Sequence, residues 1–386
     1  MKPGVYEGIS NAEYHGGPGI SKSGLDLVHR SPMHYNAVVT ADNDRTPTPA
    51  QEIGTAVHMA ILEPEEFAKT YCLALRRSDV PDAIDDREVL VEMVNKLNET
   101  RLPKLSTGGK KDELIERIIA EVAPRNADVG ALASSGELAN MKGDELKAII
   151  TADNAEREGK LSTSGSRHEL ANLLRENGVE VTLWSDVLEE WQRNNSERKV
   201  LSPEAFEQII AMRYAVMNHP AAFAILHHVK DIIGDLKTTE DASPEGFAKS
   251  IANWRYDVQH AYYMDGTRLA LEQGKCNPPQ EGKAELSVYW TDPVTGVLCR
   301  CRPDFWRGYP KHFAFIAVEK KPPYAVGVYV LDSEGVDIGR AQYQHDLRVY
   351  AECVRTGEWP GYGDKIQTIS LPGWHTNKNA HLLESA

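Results

Sequence analysis

The sequence predicts an α/β fold in which a mixed central sheet is flanked by helices and a helical region is inserted into that fold. Residues 85–178 are rich in Glu, Lys, Leu and Ala and almost lack aromatic side chains, which marks them as the inserted helical region between two parts of one domain, 1–84 and 179–386. One long helix is predicted over 247–273 from its apolar spacing. The segments with strand character lie mainly in the second half of the chain, at Ile232–Thr239, 285–290, 298–306, His312–Glu319 and 325–331.

Composition narrows the class of protein. The chain has 386 residues, 41% hydrophobic and 26% charged, which is typical of globular proteins. No run of about 18 apolar residues and no apolar leader occur, so we expect no membrane span and no signal peptide. The five cysteines lack pairing spacing, which favours reduced core cysteines in a cytoplasmic protein. A net charge of −14 argues against general coating of nucleic acid, but it allows contact through a confined basic groove.

The segment Ile232–Thr239 carries the first candidate for chemistry. Side chains alternate along a strand, so Asp235 and Lys237 share one face while Leu236 points into the core. An acid can hold a divalent cation there, and a neighbouring lysine can orient or polarise an attacking water. The alternative is an exposed ion pair at the end of a strand.

A second carboxylate lies downstream in a predicted hairpin. The strands 285–290 and 298–306 flank a turn with Asp, Pro and Gly, and the second strand carries Pro303 and Asp304. Mg²⁺ takes oxygen ligands, so Asp304 suits a metal site, and Glu285 is a weaker acidic candidate. Together, Pro-Asp and Asp-x-Lys resemble the signature of the PD-(D/E)xK nuclease superfamily, which implies a restriction-endonuclease-like core.

Longer motifs resemble one family of these nucleases. The stretch 9–23 reads ISNAEYHGGPGISKS and closely resembles the N-terminal signature of RecE-type exonucleases (exonuclease VIII). Residues 53–58 resemble the family's L-G-T-A-x-H helix, whose histidine belongs to the active site and corresponds to His58. Gln259 and Tyr263, four apart on one helical face, resemble the Q-x-x-x-Y motif that borders the site and contacts DNA.

This resemblance implies a Mg²⁺-dependent exodeoxyribonuclease, with Mn²⁺ as a possible substitute. It would degrade one strand of linear duplex DNA from the 5′ end and leave 3′ tails for recombination. Asp235, Asp304, the Leu236 carbonyl and His58 would hold the metal, Lys237 would act on water, and His58 could instead support the scissile phosphate. The expected partners are double-stranded DNA ends, a RecT-type annealing protein and further copies in a ring. No G-x-x-x-x-G-K-[ST] loop occurs, so we expect no coupling to ATP hydrolysis.

The order of the motifs departs from the family. In RecE-type enzymes the hairpin precedes the Asp-x-Lys strand, whereas here Asp304 follows Asp235 by 69 residues. Every junction that this reordering needs joins points at one edge of the sheet, so we expect the same site to assemble. The alternatives are a PD-(D/E)xK endonuclease and a non-catalytic DNA-binding scaffold with a nuclease-like fold.

The inserted region contains an internal repeat. Residues 105–115 (LSTGGKKDELI) recur as 161–171 (LSTSGSRHELA), each copy between two predicted helices. This arrangement is similar to SAP-type helix–extended loop–helix modules that bind DNA, and it makes Lys110, Lys111 and Arg167 candidate phosphate contacts. The alternative is a pair of helical hairpins that act as a spacer or an oligomer contact.

Overall fold

The computed structural model describes residues 1–41 and 48–383. The chain divides into two compact units. Unit 1 comprises Met1–Leu73 and the residues from Arg198 onward, and unit 2 comprises Ala74–Glu197. The prediction of a mixed α/β fold with sheets flanked by helices is confirmed.

The strands are β1 (Gly4–Tyr6), β2 (Tyr71–Leu73), β3 (Lys199–Leu201), β4 (Ile232–Thr239), β5 (Lys283–Ala284), β6 (Ser287–Thr291), β7 (Leu298–Cys301), β8 (Phe305–Arg307), β9 (His312–Glu319) and β10 (Val326–Tyr329). The helices are α1 (Asn11–Gly16), α2 (Lys22–Arg30), α3 (Pro32–Thr40), α4 (Pro49–Leu62), α5 (Pro64–Thr70), α6 (Arg87–Thr100), α7 (Lys111–Arg117), α8 (Ala127–Ser134), α9 (Gly143–Glu156), α10 (Arg167–Glu176), α11 (Trp184–Asn194), α12 (Pro203–Asn218), α13 (Pro220–His227), α14 (Pro244–Trp254), α15 (Tyr256–Gly274), α16 (Ser333–Thr356) and α17 (Gly373–Leu383). Within the described ranges, no single helix is long and apolar enough to cross a membrane; α12 and α13 meet that test only as a pair, bent by 85°.

The central sheet of unit 1 has five strands in the order β10-β9-β4-β8-β5. β4 runs parallel to β9 and antiparallel to β8. β9 is a nearly continuous apolar run because helices cover both faces of the sheet. Alternate residues of β9 enter two different cores: Phe313, Phe315 and Ala317 pack with α15 and α16, whereas Ala314, Ile316 and Val318 pack with α4 and α12. Ile233 belongs to the α15 face, so alternation places Asp235 and Lys237 on that face too.

The predicted hairpin is present, but it is interrupted on both sides. Ala284 is opposite Phe305 and Val288 is opposite Cys301, so one register continues through the interruption. Within it, Pro303 has no N–H for the ladder, and Glu285 adopts a left-handed φ of 54°. The N–H of Glu285 still donates to the Asp304 carbonyl at 3.3 Å. The predicted strand 298–306 is therefore two strands, β7 and β8, and the interruption sets Glu285 directly across from Asp304.

The prediction of one long helix over 247–273 is wrong, because this segment forms two helices, α14 and α15, which meet at Arg255. Arg255 takes a left-handed φ of 54°, which ends α14 and begins α15. Its guanidinium contacts Asp26 at 3.0 Å and Asp346 at 2.6 Å, and also Gln342. These tertiary contacts stabilise a backbone conformation that local sequence disfavours.

Unit 2 contains the two predicted repeats, α6–loop–α7 and α9–loop–α10. Their helices are exchanged, because α6 packs with α10 and α7 packs with α9. Asn98 of α6 brackets the backbone of Leu161 with two hydrogen bonds of 2.7 and 3.0 Å. Asn154 of α9, 56 positions later, brackets Leu105 in the same way at 2.7 and 2.8 Å. Each extended loop is thus held by the other repeat.

Unit 2 is longer than the region assigned to 85–178. At its start, Ile84 forms a bridge with Leu183. At its end, Asp186 of α11 contacts His168 and Arg175 of α10 at 3.1 and 3.2 Å. The flanking residues therefore belong to the same compact unit as the repeats.

Candidate functional site

The centre of the candidate site is the pair formed by Asp235 and Lys237 on β4. The Lys237 ammonium contacts Asp235 Oδ2 directly, and the Gln259 amide donates to Asp235 Oδ1 at 2.6 Å. Gln259 reaches this carboxylate because α15 covers the same face of the sheet. The side chain of Asp235 is 0% exposed and that of Lys237 is 15% exposed. The alternative of an exposed strand-end ion pair is therefore wrong, because the pair is buried.

The side chain of Asp304 contacts β4 at Leu236, the residue after Asp235. The register of β4 against β8 pairs Gly234 with Phe305, which sets Asp304 next to Asp235 across the two strands. The Asp304 Oδ2 atom accepts a hydrogen bond of 2.7 Å from the Leu236 N–H. The N–H and C=O of one strand residue point to the same side, so the Leu236 carbonyl also faces this edge, as the predicted metal ligand requires. The two acids therefore converge although their order along the chain is reversed.

His58 and Glu285 complete the cluster around Asp304. His58 Nδ1 lies 3.6 Å from Asp304 Oδ2, and its ring also hydrogen-bonds the backbone of Leu236. One potential ligand atom from each of His58, Glu285 and Asp304 lies within 4.8 Å of the other two. This cluster differs from the predicted ligand set, because Glu285 takes part in it and Asp235, occupied by Lys237 and Gln259, does not. Glu285, the weaker acidic candidate in the sequence, is therefore placed to share a metal ion with His58 and Asp304.

The acids of the site share one electrostatic feature, a raised pKa. Burial, countered by Lys237 and reinforced by Asp304, raises the pKa of Asp235 to about 6. Burial and the Asp304 charge raise the pKa of Glu285 to about 8. Burial also raises the pKa of Asp304, against the effect of Lys237. Crowded buried carboxylates hold protons unless a cation compensates them, and this property is typical of a metal site without its ion.

The pKa values of the two basic groups of the site, His58 and Lys237, are shifted in opposite directions. Burial and the Lys237 charge lower the pKa of His58 to about 4, so the imidazole is neutral near pH 7 and can act as a ligand. Burial alone would lower the pKa of Lys237, but Asp235 and Asp304 overcome it and hold the pKa above the ordinary lysine value. Lys237 is therefore a cation and cannot serve as a base near neutral pH.

A cavity of about 240 Å³ opens beside these residues. Gln259, Tyr263 and Glu285 line it, and so does the N-terminal segment that resembles the RecE signature. Arginines of the hairpin hold that segment: Arg302 donates to the Ile9 carbonyl at 2.8 Å and Arg300 to the His15 carbonyl at 3.0 Å. The motif residues Gln259 and Tyr263 therefore lie at the site, as predicted, and the unusual N-terminal motif forms its wall.

The predicted DNA contacts of the repeats lie in unit 2, where the side chains of Arg167 and Lys111 have partners. Arg167 binds the carboxylate and the carbonyl of Asp85 at 2.7 and 2.8 Å, and Lys111 donates to the Ala139 carbonyl at 2.6 Å. Lys110 precedes α7, and its backbone N–H donates a hydrogen bond to the Glu113 carboxylate. Unit 2 also carries 25 acidic against 17 basic side chains. Phosphate binding by these residues remains a prediction, and Arg167 would have to leave Asp85 to take part.

Sequence reasoning missed two residues at the site. Lys22 lines the cavity, and the ring of Tyr256 lies 5.0 Å from the Lys237 ammonium. Both positions were close to recognised motifs, since Lys22 belongs to the N-terminal signature and Tyr256 precedes Gln259 by one helical turn. Their roles depend on tertiary contacts that the motifs alone do not specify.

Comparison with models of known protein families and with curated proteins finds no significant match for this chain.

Proposed function

We propose that this protein is a divalent-metal-dependent nuclease with a PD-(D/E)xK-type core. One observation carries the proposal: separate segments of the chain bring Asp235, Asp304, Glu285, Lys237 and His58 together at the edge of one sheet. Buried carboxylates that repel one another are costly to the fold, so their assembly indicates a role beyond packing. A structural ion pair would require only Asp235 and Lys237.

The residues fit a hard divalent cation, Mg²⁺ or Mn²⁺. Asp304, Glu285 and the neutral His58 offer ligand atoms within reach of one another, and the Leu236 carbonyl faces the same edge. When bound, such a cation supplies charge stabilisation at the phosphate and lowers the pKa of a bound water. Lys237 remains protonated and can orient water or stabilise negative charge on the phosphate, while Asp235 fixes its position. Gln259 fixes Asp235 in turn.

The motifs refine the proposal to an exodeoxyribonuclease of the RecE type. The activity would be ATP-independent, would act from the 5′ end of linear duplex DNA and would leave 3′ tails. Its support is the N-terminal signature, which forms a wall of the same cavity as Gln259 and Tyr263. A ring-shaped homo-oligomer and a RecT-type annealing partner follow from the same resemblance, whereas a cytoplasmic location follows from the unpaired spacing of the five cysteines.

The deciding experiment compares linear and covalently closed circular duplex DNA, each incubated with the protein in Mg²⁺, in Mn²⁺ and in EDTA. An exonuclease releases nucleotides from the linear duplex only and loses activity in EDTA. Cleavage of closed circles would identify an endonuclease. Binding without cleavage of either substrate in both metals would identify a non-catalytic scaffold and refute the proposed activity.

A further inference from the structure

Lys22 is a largely covered cation at the wall of the candidate site. It is the first residue of α2, and its side chain is only 13% exposed. Its ammonium contacts Asp26 Oδ2 at 2.7 Å and donates to the Trp254 carbonyl at 2.7 Å. A lysine ammonium carries three N–H donors. Asp26 and Trp254 engage two of them, so these two contacts leave one N–H of a residue that lines the cavity.

The contacts of Lys22 connect it to the catalytic lysine. Both ammonium groups lie near the ring of Tyr256, whose centroid is 5.9 Å from Lys22 Nζ and 5.0 Å from Lys237 Nζ. Burial lowers the pKa of Lys22; Asp26 opposes this, and Lys237 and Arg255 add to it. Asp26 is shared, because Arg255 also binds it at 3.0 Å. An anion in the cavity would relieve the repulsion between the two lysines.

Contacts at the junction of α14 and α15 hold Lys22 in position. Lys22 donates to the carbonyl of Trp254, the last residue of α14, and the next residue, Arg255, joins α14 to α15. Arg255 is in turn held by Asp346 of α16 at 2.6 Å. A flexible surface lysine loses side-chain entropy when it binds a phosphate. The Lys22 side chain is already ordered by its contacts with Asp26 and Trp254, so it loses less entropy on binding.

We propose that Lys22 is a substrate-binding residue whose remaining N–H donates to a non-bridging oxygen of a DNA phosphate next to the scissile one. This assignment rests on the proposed nuclease function. An ammonium group is a strong phosphate donor, and Lys22 reaches the same cavity as Gln259 and Glu285. The competing role is purely structural, since loss of the contacts to Asp26 and Trp254 would weaken the junction of α14 and α15.

The test compares Lys22→Met, Lys22→Arg and a control, Lys69→Met, which removes a lysine that is 71% exposed on α5. Binding to linear duplex DNA is measured by fluorescence anisotropy from low to high salt in an Asp304→Asn background, so that no DNA is cleaved. We expect Lys22→Met to weaken binding about tenfold, and to reduce the slope of log K against log salt by about 0.9, the contribution of one phosphate contact. Lys22→Arg restores the slope, and Lys69→Met leaves it unchanged.

Steady-state kinetics with Asp304 intact separate the outcomes. Lys22→Met should raise KM more than it lowers kcat, because the contact already exists in the bound ground state. A lower melting temperature with an unchanged salt slope and unchanged KM would mean that Lys22 is only structural, and would overturn the proposal. If wild-type protein cleaves no DNA but Lys22→Met still reduces the salt slope, the nuclease function fails while the phosphate contact stands.

Discussion

Replacing Glu285 by glutamine tests whether the buried acids of the site behave as the structure implies. The pKa of Glu285 is about 8, against about 4.3 for an unperturbed glutamate. Without metal, the folded protein therefore keeps a proton that the unfolded chain has lost between about pH 4.5 and 8. Unfolding releases that proton in this range, so stability falls as pH rises and levels off above about pH 8.

The magnitude follows from the proton count. One extra bound proton changes the free energy of unfolding by about 1.4 kcal/mol per pH unit, which gives roughly 2–3 kcal/mol between pH 6 and 8. For a unit of this size, 1 kcal/mol corresponds to about 2 °C in the melting temperature. In EDTA, wild-type protein should therefore lose about 5 °C more than Glu285→Gln over this range. The amide cannot ionise, and it keeps the shape of the side chain.

The assay is scanning calorimetry at pH 6, 7 and 8. The control variant is Glu281→Gln, because Glu281 is exposed and lies just before β5. The control should follow the wild-type pH dependence. Mg²⁺ should raise the wild-type melting temperature more at pH 8 than at pH 6, because its ligands must be deprotonated. Parallel pH curves for wild type and Glu285→Gln would refute the account of crowded acids that share one site.

Two further predictions follow from the contacts. Lys237→Met should abolish cleavage with a small loss of stability, because Asp235 can take a proton. Asp235→Ala leaves a buried ammonium without its main partner and should cost about 3–5 kcal/mol of unfolding free energy, measured by urea denaturation. Equal losses of stability in the two variants would contradict this prediction. In unit 2, Asn98→Ala and Asn154→Ala should each cost about 1–3 kcal/mol, because each asparagine brackets the loop of the other repeat. A large cost for one asparagine and none for the other would show that the exchanged repeats are not equivalent.

Local pattern predicts much of the central sheet. The apolar run of β9 has the bounds predicted from the sequence, His312–Glu319, because a fully buried strand ends where its apolar residues end. Alternation along β4 also predicts that Asp235 and Lys237 share a face, and their contact confirms it. The break at Arg255 could not be predicted in this way, because no glycine or proline marks it and its cause is the contacts with Asp26 and Asp346.

The candidate site was predictable only to the extent that motifs specify it. The Pro-Asp motif identifies Asp304 as a candidate ligand, whereas no motif includes Glu285, which the sequence offers only as a weaker acidic candidate. Glu285 joins Asp304 because the hairpin register continues across the interruption and sets the two acids opposite each other. In unit 2 the repeat is visible in the sequence, whereas the exchange of helices is not, because the apolar face of a helix does not specify which equivalent partner it packs against.

We expect the hairpin and the Asp235 strand, in reversed chain order, to build one metal site. Titration of the metal-free protein with Mn²⁺, followed by electron paramagnetic resonance, measures this directly. Wild-type protein should bind Mn²⁺ at this site with release of protons, and Asp304→Asn should lose that binding while Glu281→Gln keeps it. Equal Mn²⁺ binding by wild type and Asp304→Asn, with no proton release, would show that the two segments do not build a metal site.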